Sequence, residues 1–203
     1  MSATPVPVDS KSLVGRIKAI LLQPDATWRV IDGEPATVAG LYSGYIALLA
    51  AIPPIANFIR FAAFFHWPVA WGIERAVAHY ILTLIGVYVA ALVIDALEPS
   101  FGGTRSKIQA LKLVAYASTA GWLASIFNLI PGLAILSIIG LYSVYLFWVG
   151  LPILMKSPPE RSLGYTIVAA VCVAIVYVVI GAITAAVVGV GGYGYGYGTA
   201  MHY

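Results

Sequence analysis

Charged residues are scarce in this sequence: Asp, Glu, Lys and Arg together make up 9% of its 203 residues, whereas 61% are hydrophobic. A soluble globular domain carries about 25% charged residues and could not cover this much apolar surface. The mean hydropathy of +0.94 supports that exclusion. The composition therefore predicts an integral membrane protein.

Cysteine is nearly absent as well, since Cys172 is the single cysteine of the chain. One thiol can form neither an intrachain disulfide nor a thiolate cage for a metal. The 11 Lys and Arg residues outnumber the 8 Asp and Glu residues but form no basic block, so the charge does not indicate a nucleic-acid partner. We predict no metal, no cofactor and no nucleic acid.

Catalytic motifs are also missing. A Ser, Cys or Thr nucleophile needs a neighbouring base, and an intramembrane hydrolase would show paired Asp, Ser with His, or His with Glu in its spans. The apolar segments hold one Asp near a helix end and one His instead. We therefore predict that the protein is not an enzyme.

Long uncharged runs define the membrane spans, because crossing about 30 Å of hydrocarbon takes about 20 helical residues. The run 113–155 is about twice that length, so we divide it at the Asn128-Leu-Ile-Pro-Gly132 turn. Pro53 and Pro54 are expected to kink or end the first helix. The predicted spans are 38–58, 76–97, 107–130, 131–155 and 163–188.

These spans predict an all-α integral membrane protein, a bundle of about five transmembrane helices preceded by a short amphipathic interfacial helix. We divide the chain into a cytoplasmic N-terminal segment (1–34), a five-helix transmembrane domain (35–188) and a Gly/Tyr-rich low-complexity tail (189–203). Because the first segment is polar and lacks the pattern of a cleaved signal, we expect the first membrane helix to direct insertion.

Basic residues are distributed unevenly over the predicted loops. With the N-terminus inside, two basic residues, Arg60 and Arg75, fall outside, and nine fall inside. Short cytoplasmic loops carry an excess of Lys and Arg, so we predict a multi-pass protein of the cytoplasmic (inner) membrane with its N-terminus cytoplasmic and its C-terminus outside. The nine inner residues are Lys11, Arg16, Lys18, Arg29, Arg105, Lys107, Lys112, Lys156 and Arg161.

A short helix is predicted before the first span. Asp9 and Ser10 are its candidate caps, Pro24 ends it, and Trp28 is expected to mark the membrane interface. Two interpretations stay open: the helix lies on anionic lipid, or it packs under the bundle. Its apolar residues at helical spacing are Leu13, Ile17, Ile20 and Leu21.

Four stretches, taken in order, resemble the Yip domain family, which comprises the five-helix Ypt-interacting proteins and their bacterial relatives. A Pro, an aromatic and an acidic residue precede the first span, in Leu22-Gln-Pro-Asp-Ala-Thr-Trp-Arg-Val-Ile31 and Glu34. The similarity covers about residues 13–188. The other stretches are Phe101-Gly-Gly-Thr104 with Lys107 and Leu111-Lys-Leu-Val-Ala-Tyr116, Ile130-Pro-Gly132, and Leu141-Tyr-Ser-Val-Tyr-Leu-Phe-Trp-Val-Gly150.

The resemblance implies a membrane adaptor in eukaryotic relatives, which engage prenylated small GTPases and vesicle machinery, whereas bacterial relatives have no settled activity. This chain lacks the Asp-Leu-Tyr-Gly-Pro motif and the long cytosolic arm of the eukaryotic proteins. We therefore expect a bacterial-type member without a GTPase partner.

Ionisable residues near the spans are the first candidates for function. Asp95 lies near the end of the second span, and Glu98 falls on the same helix face. They form either an interfacial acidic pair that the following basic residues neutralise, or a cation or proton site. His79 lies in the first turns of the same helix, where it titrates near physiological pH, bonds to a neighbouring helix or simply packs. The basic residues in question are Arg105, Lys107 and Lys112.

Tyrosines are the other candidates. Tyr116, Tyr142 and Tyr145, together with Trp148, carry polar groups that need partners when buried. They form interhelical hydrogen bonds or an interfacial belt, or else they line a ligand cavity. The candidate functional residues are thus Asp95, Glu98, His79, Lys112, Tyr116, Tyr142 and Tyr145.

Two functions fit these features. The first is a membrane scaffold or adaptor that organises protein or lipid partners. The second is a small transporter or oligomeric channel for an ion or small solute, which uses Asp95 and neighbouring polar residues. The predicted partners are the lipid bilayer and a protein partner or a second copy of the chain.

Overall fold

The computed structural model describes residues 12–64 and 68–192, which form seven helices and no strand. Two short helices, α1 (Leu13–Leu22) and α2 (Pro24–Gly33), come first. Five long helices follow, each with a segment long and apolar enough to cross a membrane. The predicted all-α membrane fold is confirmed. The long helices are α3 (Val38–Phe64), α4 (Val69–Phe101), α5 (Lys107–Leu129), α6 (Pro131–Met155) and α7 (Pro159–Gly192).

Helices α3 and α4 are longer than predicted, because a charged residue does not end a helix that has left the apolar layer. Helix α3 continues to Phe64 instead of residue 58, and α4 begins at Val69 instead of residue 76. The guanidinium groups of Arg60 and Arg75 lie 5.8 and 5.9 Å from the Phe61 ring, which places both cations within reach of its π-face.

Several prolines lie in the first turns of helical segments and do not interrupt them. Helix α3 contains a π-helical turn, Tyr42–Ile46, and is regular again over Ala47–Ala50. A further regular segment begins at Ile52, with Pro53 and Pro54 in its first turn. A proline there sacrifices no hydrogen bond, since the first amide groups of a helix lack intrahelical partners. Pro131 likewise begins α6, at the predicted hairpin turn.

The N-terminal region differs from the prediction in one element. The hydroxyl of Ser12 caps α1 by accepting a hydrogen bond from the Gly15 amide at 3.0 Å, whereas Asp9 and Ser10 lie outside the described residues. Pro24 does follow the end of α1, but it also begins a second helix, α2, which was not predicted. Proline favours the first position of a helix, so one residue serves as both stop and start.

Helices α1 and α2 pack against one end of the bundle, called the basic end below. The ends of α4 and α6 and the starts of α5 and α7 lie at this end. Ile20, Trp28 and Ile31 are fully buried there. The Trp28 ring lies between α2 and the central helices instead of in a lipid-facing aromatic belt, and its position at the membrane interface stays a prediction.

Helix α5 is the centre of the bundle. In its most apolar window 72% of the residues are buried inside the protein, against 11% for α6 and 17% for α7. The apolar side chains that α6 and α7 leave uncovered suit a hydrocarbon environment. Helix α7 reaches Gly192, past its predicted end, and residues 193–203 of the predicted tail lie outside the described residues.

Candidate functional site

Lys112 joins α5 to the end of α2. It is 3% exposed, and its Nζ donates hydrogen bonds to the carbonyl oxygens of Ile31 at 2.8 Å and Glu34 at 2.6 Å. Carbonyl groups at the C-terminal end of a helix have no intrahelical donor and carry partial negative charge. The lysine therefore satisfies two acceptors and places a positive charge where the helix dipole favours one.

Arg16 links α1 to the residue that follows α2. Its Nη2 lies 2.6 Å from the Glu34 carboxylate, and its guanidinium carbon is 5.8 Å from the centre of the Tyr116 ring. Arg16 is 7% exposed and the Glu34 side chain 36%, so the guanidinium is removed from water while the carboxylate keeps part of its hydration. Breaking such a pair would leave an uncompensated charge, which makes the contact costly to lose.

Asp32 forms the third link. Gln109 Nε2 donates to the Asp32 carbonyl at 3.1 Å and to its Oδ1 at 3.0 Å, and Lys156 forms an ion pair with the same carboxylate. Helix α2 is therefore held by both α5 and the end of α6. We call these six residues the anchor cluster: Arg16, Asp32, Glu34, Gln109, Lys112 and Lys156.

Aromatic side chains fill the space beneath the anchor cluster. Trp28 meets Tyr116 edge to face at 6.2 Å, and Tyr116 packs on Tyr45 at 4.6 Å. Trp28 also lies directly over Gly150 of α6, where a Cβ would approach its ring to 2.5 Å. Tyr116, a candidate functional residue, is thus a core residue that supports α2.

The remaining tyrosines divide between the two interpretations offered by the sequence. Tyr142 donates its hydroxyl hydrogen to the Leu21 carbonyl at 3.0 Å, which ties α6 to α1. Tyr145 is 40% and Trp148 47% exposed, with ring centres 6.2 Å apart on the outer surface of α6. The structure brings Tyr116 and Tyr142 to the N-terminal helices and leaves Tyr145 on the outside.

Asp95 and Glu98 form a second polar group at the basic end, called the acidic site. They are 3% and 0% exposed. Asp95 Oδ2 pairs with Arg105 Nη2 at 3.1 Å, whereas Lys112 lies in the anchor cluster. In the described part of the chain, Asp95 Oδ1 and both oxygens of Glu98 have no hydrogen-bond donor. The basic residues after α4 therefore neutralise Asp95 but leave Glu98 without a partner.

His79 lies apart from both groups and lines a cavity of about 400 Å³ between α3, α4, α5, α6 and α7. Most of the lining is apolar, and several hydroxyl groups are already bonded within the protein: Thr83 donates to the His79 carbonyl at 2.8 Å, and Ser143 accepts from the Gly121 amide at 2.8 Å. Sequence reasoning missed this cavity. The signal was weak, since its polar lining residues are scattered over four helices: His79, Thr83, Ser118, Ser125, Ser143 and Tyr177.

Metal ligands are not grouped in the structure. Within residues 12–64 and 68–192, no three or more His, Cys, Asp or Glu side chains come close enough to hold a metal ion. The two carboxylates of the acidic site stand without a third such ligand. The absence of a metal stays a prediction.

Comparison with known proteins places the chain in a family. It is 26% identical over 166 residues to the inner membrane protein YohC of Escherichia coli strain K12, an alignment that covers 75% of this chain and 85% of YohC. YohC of Escherichia coli O6:H1 strain CFT073 matches equally well. No solved structure matches the chain. The Yip1 domain matches residues 18–194, in agreement with the resemblance found in the sequence, and the chain belongs to the Yip1 domain family.

Proposed function

We propose that the protein is a non-enzymatic scaffold or adaptor of the cytoplasmic membrane, with its N-terminus in the cytoplasm and its C-terminus outside. The observation that carries this proposal is that the buried polar residues of the anchor cluster hold helices together. The anchor cluster attaches α1 and α2 to the bundle as a fixed platform, and none of its residues lines the cavity of about 400 Å³. The location is supported by YohC, which is named an inner membrane protein.

The exposed surface of the basic end carries more basic than acidic residues. Among the described residues, its exposed acidic residues are Asp25 and Glu160, and the exposed basic residues outnumber them. This excess supports a cytoplasmic position for the basic end and suits either anionic lipid headgroups or an acidic segment of a partner. The exposed basic residues are Lys18, Arg29, Arg105, Lys107, Lys156 and Arg161.

Helix α1 also offers an apolar edge to the membrane. Val14 and Leu22 are 59% and 77% exposed and flank Lys18 at spacings of four residues, which places all three on one face. A helix with apolar and basic residues on its outer face lies in the headgroup region of a bilayer. The opposite face of α1 packs on the bundle, so the two interpretations of this helix are compatible.

Reversing two charges on the platform tests the adaptor proposal. In Lys18→Glu/Arg29→Glu, we expect the amount of co-purifying protein partner or anionic lipid to fall at least about tenfold, since each basic residue near such a surface contributes about 1 kcal/mol. The measurement is extraction into lipid discs followed by quantitative mass spectrometry. Glu74→Lys, an exposed charge reversal on α4 at the other end of the bundle, is the matched control. An unchanged set of partners in the double variant contradicts the proposal.

Transport is the second candidate, and the cavity is the observation that favours it. Irregular backbone borders it, since Pro53 follows the π-helical turn of α3 and Gly140 belongs to the 3₁₀ half of α6. Discontinuous helices around a site within the membrane are typical of transporters. The site would then involve His79, because Asp95 pairs with Arg105 away from the cavity.

Flux measurements distinguish the two candidates. As a scaffold, the protein in liposomes should pass protons, Na⁺ and K⁺ no faster than protein-free liposomes do. Flux above that background would replace the scaffold with a transporter. In that case the loss of flux in His79→Ala would assign transport to the cavity, and its loss in Asp95→Asn would assign it to the acidic site.

A further inference from the structure

Glu98 is fully buried without a hydrogen-bond donor, which is unusual for a carboxylate. Its exposure is 0%, and both of its oxygens lack a donor in the described part of the chain. An ionised carboxylate removed from water without a paired charge costs several kcal/mol. Asp95 lies three residues earlier on the same helix face, so a second negative charge is close.

Two helix ends add to the negative environment of Glu98. Helix α4 ends at Phe101 and α6 at Met155, and the last carbonyl groups of a helix carry partial negative charge. A Cβ on Gly103 would contact Glu98 Oε1 and would lie 2.5 Å from the Met155 carbonyl oxygen, so the carboxyl group sits against that helix end. Both helix dipoles therefore disfavour a negative charge at this position.

The nearby cations do not donate to Glu98. Arg105, in the loop before α5, pairs with Asp95, and Lys156, after α6, pairs with Asp32. Arg161 of α7 lies beside Gly102, with its Nη1 3.7 Å from the position of a Cβ there. Glu160, the remaining charged residue at the start of α7, is exposed. One positive charge is therefore missing from the acidic site.

The contacts of Tyr165 on α7 indicate that a proton supplies that charge. It is fully buried, its ring stacks on Phe101 at 4.6 Å, and its hydroxyl donates to the Ile94 carbonyl at 2.7 Å. The Tyr165 side chain also lies close to the Glu98 side chain, whose oxygens receive no hydrogen bond from it. A tyrosine has one hydroxyl hydrogen, and this one is committed to Ile94. A hydrogen bond between Tyr165 and Glu98 therefore requires a hydrogen on Glu98.

We propose that Glu98 is a proton-binding site of the folded protein, which holds a proton on its carboxyl group and donates it to Tyr165 Oη. The proton removes the uncompensated charge and links α4 to α7 next to the end of α6. Its release restores a buried negative charge between two helix C-termini. The packing of α4, α6 and α7 at the basic end thus depends on proton binding at Glu98.

The direction in which pH changes stability follows from the number of protons bound by the folded and the unfolded protein. If Glu98 holds a proton in the folded state and releases it on unfolding, the folded state binds one proton more, and stability falls as pH rises. The folding equilibrium constant then falls up to tenfold per pH unit, until the folded protein also releases the proton. Glutamine has the shape of the neutral acid and cannot ionise, so Glu98→Gln should remove this part of the pH dependence.

Infrared spectroscopy and thermal unfolding of the full chain in lipid discs test the proposal. We expect a protonated-carboxyl C=O band at neutral pH that Glu98→Gln abolishes and Glu160→Gln, the exposed control, retains. We also expect Glu98→Gln to unfold at a temperature no lower than the native protein at neutral pH, and at a higher temperature at alkaline pH.

Two results would overturn the proposal. One is a spectrum in which the band is absent from the native protein or survives in Glu98→Gln. The other is a melting temperature of the native protein that falls when choline replaces Na⁺ and K⁺ at constant ionic strength, while that of Glu98→Gln does not. A metal cation would then supply the missing charge. The infrared test of the proton site is independent of the adaptor proposal. A failure to find partners would contradict the adaptor proposal and leave the proton site unaffected.

Discussion

Replacing Trp28 with alanine is expected to lower the free energy of unfolding by about 3 to 5 kcal/mol, the usual cost of emptying a core site that holds a tryptophan. The side chain is fully buried, lies against Gly150 and meets the edge of Tyr116. The collapse of α2 into the space is opposed by the anchor cluster, which holds α2 from both sides. The cavity should therefore stay open, and the free energy of unfolding should fall by the full amount.

The matched control is Trp148→Ala on α6. Trp148 is 47% exposed on the outer surface of the bundle, so its loss should change the free energy of unfolding much less. Unfolding in mixed micelles, titrated with a denaturing detergent, measures both variants. Equal effects of the two substitutions would contradict the packing of Trp28 between α2 and α6.

Replacing Lys112 with methionine is expected to lower the free energy of unfolding by about 1 to 3 kcal/mol, because the Glu34 carbonyl loses its donor and the Ile31 carbonyl keeps only the Glu34 amide, at 3.3 Å. Methionine preserves most of the side-chain volume, so the effect reports the ammonium group. Arg16 and Glu34 would remain paired, which should keep α1 attached while the end of α2 loosens.

Lys107→Met is the control for this substitution, since Lys107 begins the same helix and is exposed. Its replacement should change stability by less than about 0.5 kcal/mol. Hydrogen exchange of the α2 amides, followed by mass spectrometry, locates the effect. Faster exchange in Lys112→Met that is confined to α2 is expected, and a uniform change over the whole bundle would contradict the assigned role.

The spans of the bundle could be predicted because crossing a bilayer imposes a length on each apolar run. The hairpin at Pro131 was visible for the same reason, since the run 113–155 is too long for one helix. Helix ends were less accurate at Arg60 and Arg75, where helical hydrogen bonds continue past the apolar segment. Helix α2 was missed because its first residue, Pro24, also marks the end of α1.

The roles of the candidate residues could not be predicted, because they depend on contacts between residues far apart in the sequence. Lys112 and Ile31 are separated by 81 positions, and Tyr165 and Ile94 by 71. Hydrophobic periodicity identifies a buried face but not the helix that covers it. The sequence suggested that the basic residues after α4 neutralise the acidic pair, yet Arg105 reaches Asp95 alone and Lys112 turns to α2.

Composition, uncharged runs and the order of short motifs were sufficient by themselves to determine that this is a membrane protein of five long helices, and they predicted its family. These properties follow from the hydrocarbon layer, which requires apolar length and internally satisfied backbone groups in every span. The tertiary structure alone decided that Trp28 is a core residue, that the anchor cluster fixes α1 and α2 to the bundle, and that Glu98 is buried with no donor among the described residues. Burial and pairing in three dimensions set the energy of a polar side chain, and no local pattern in the chain specifies them.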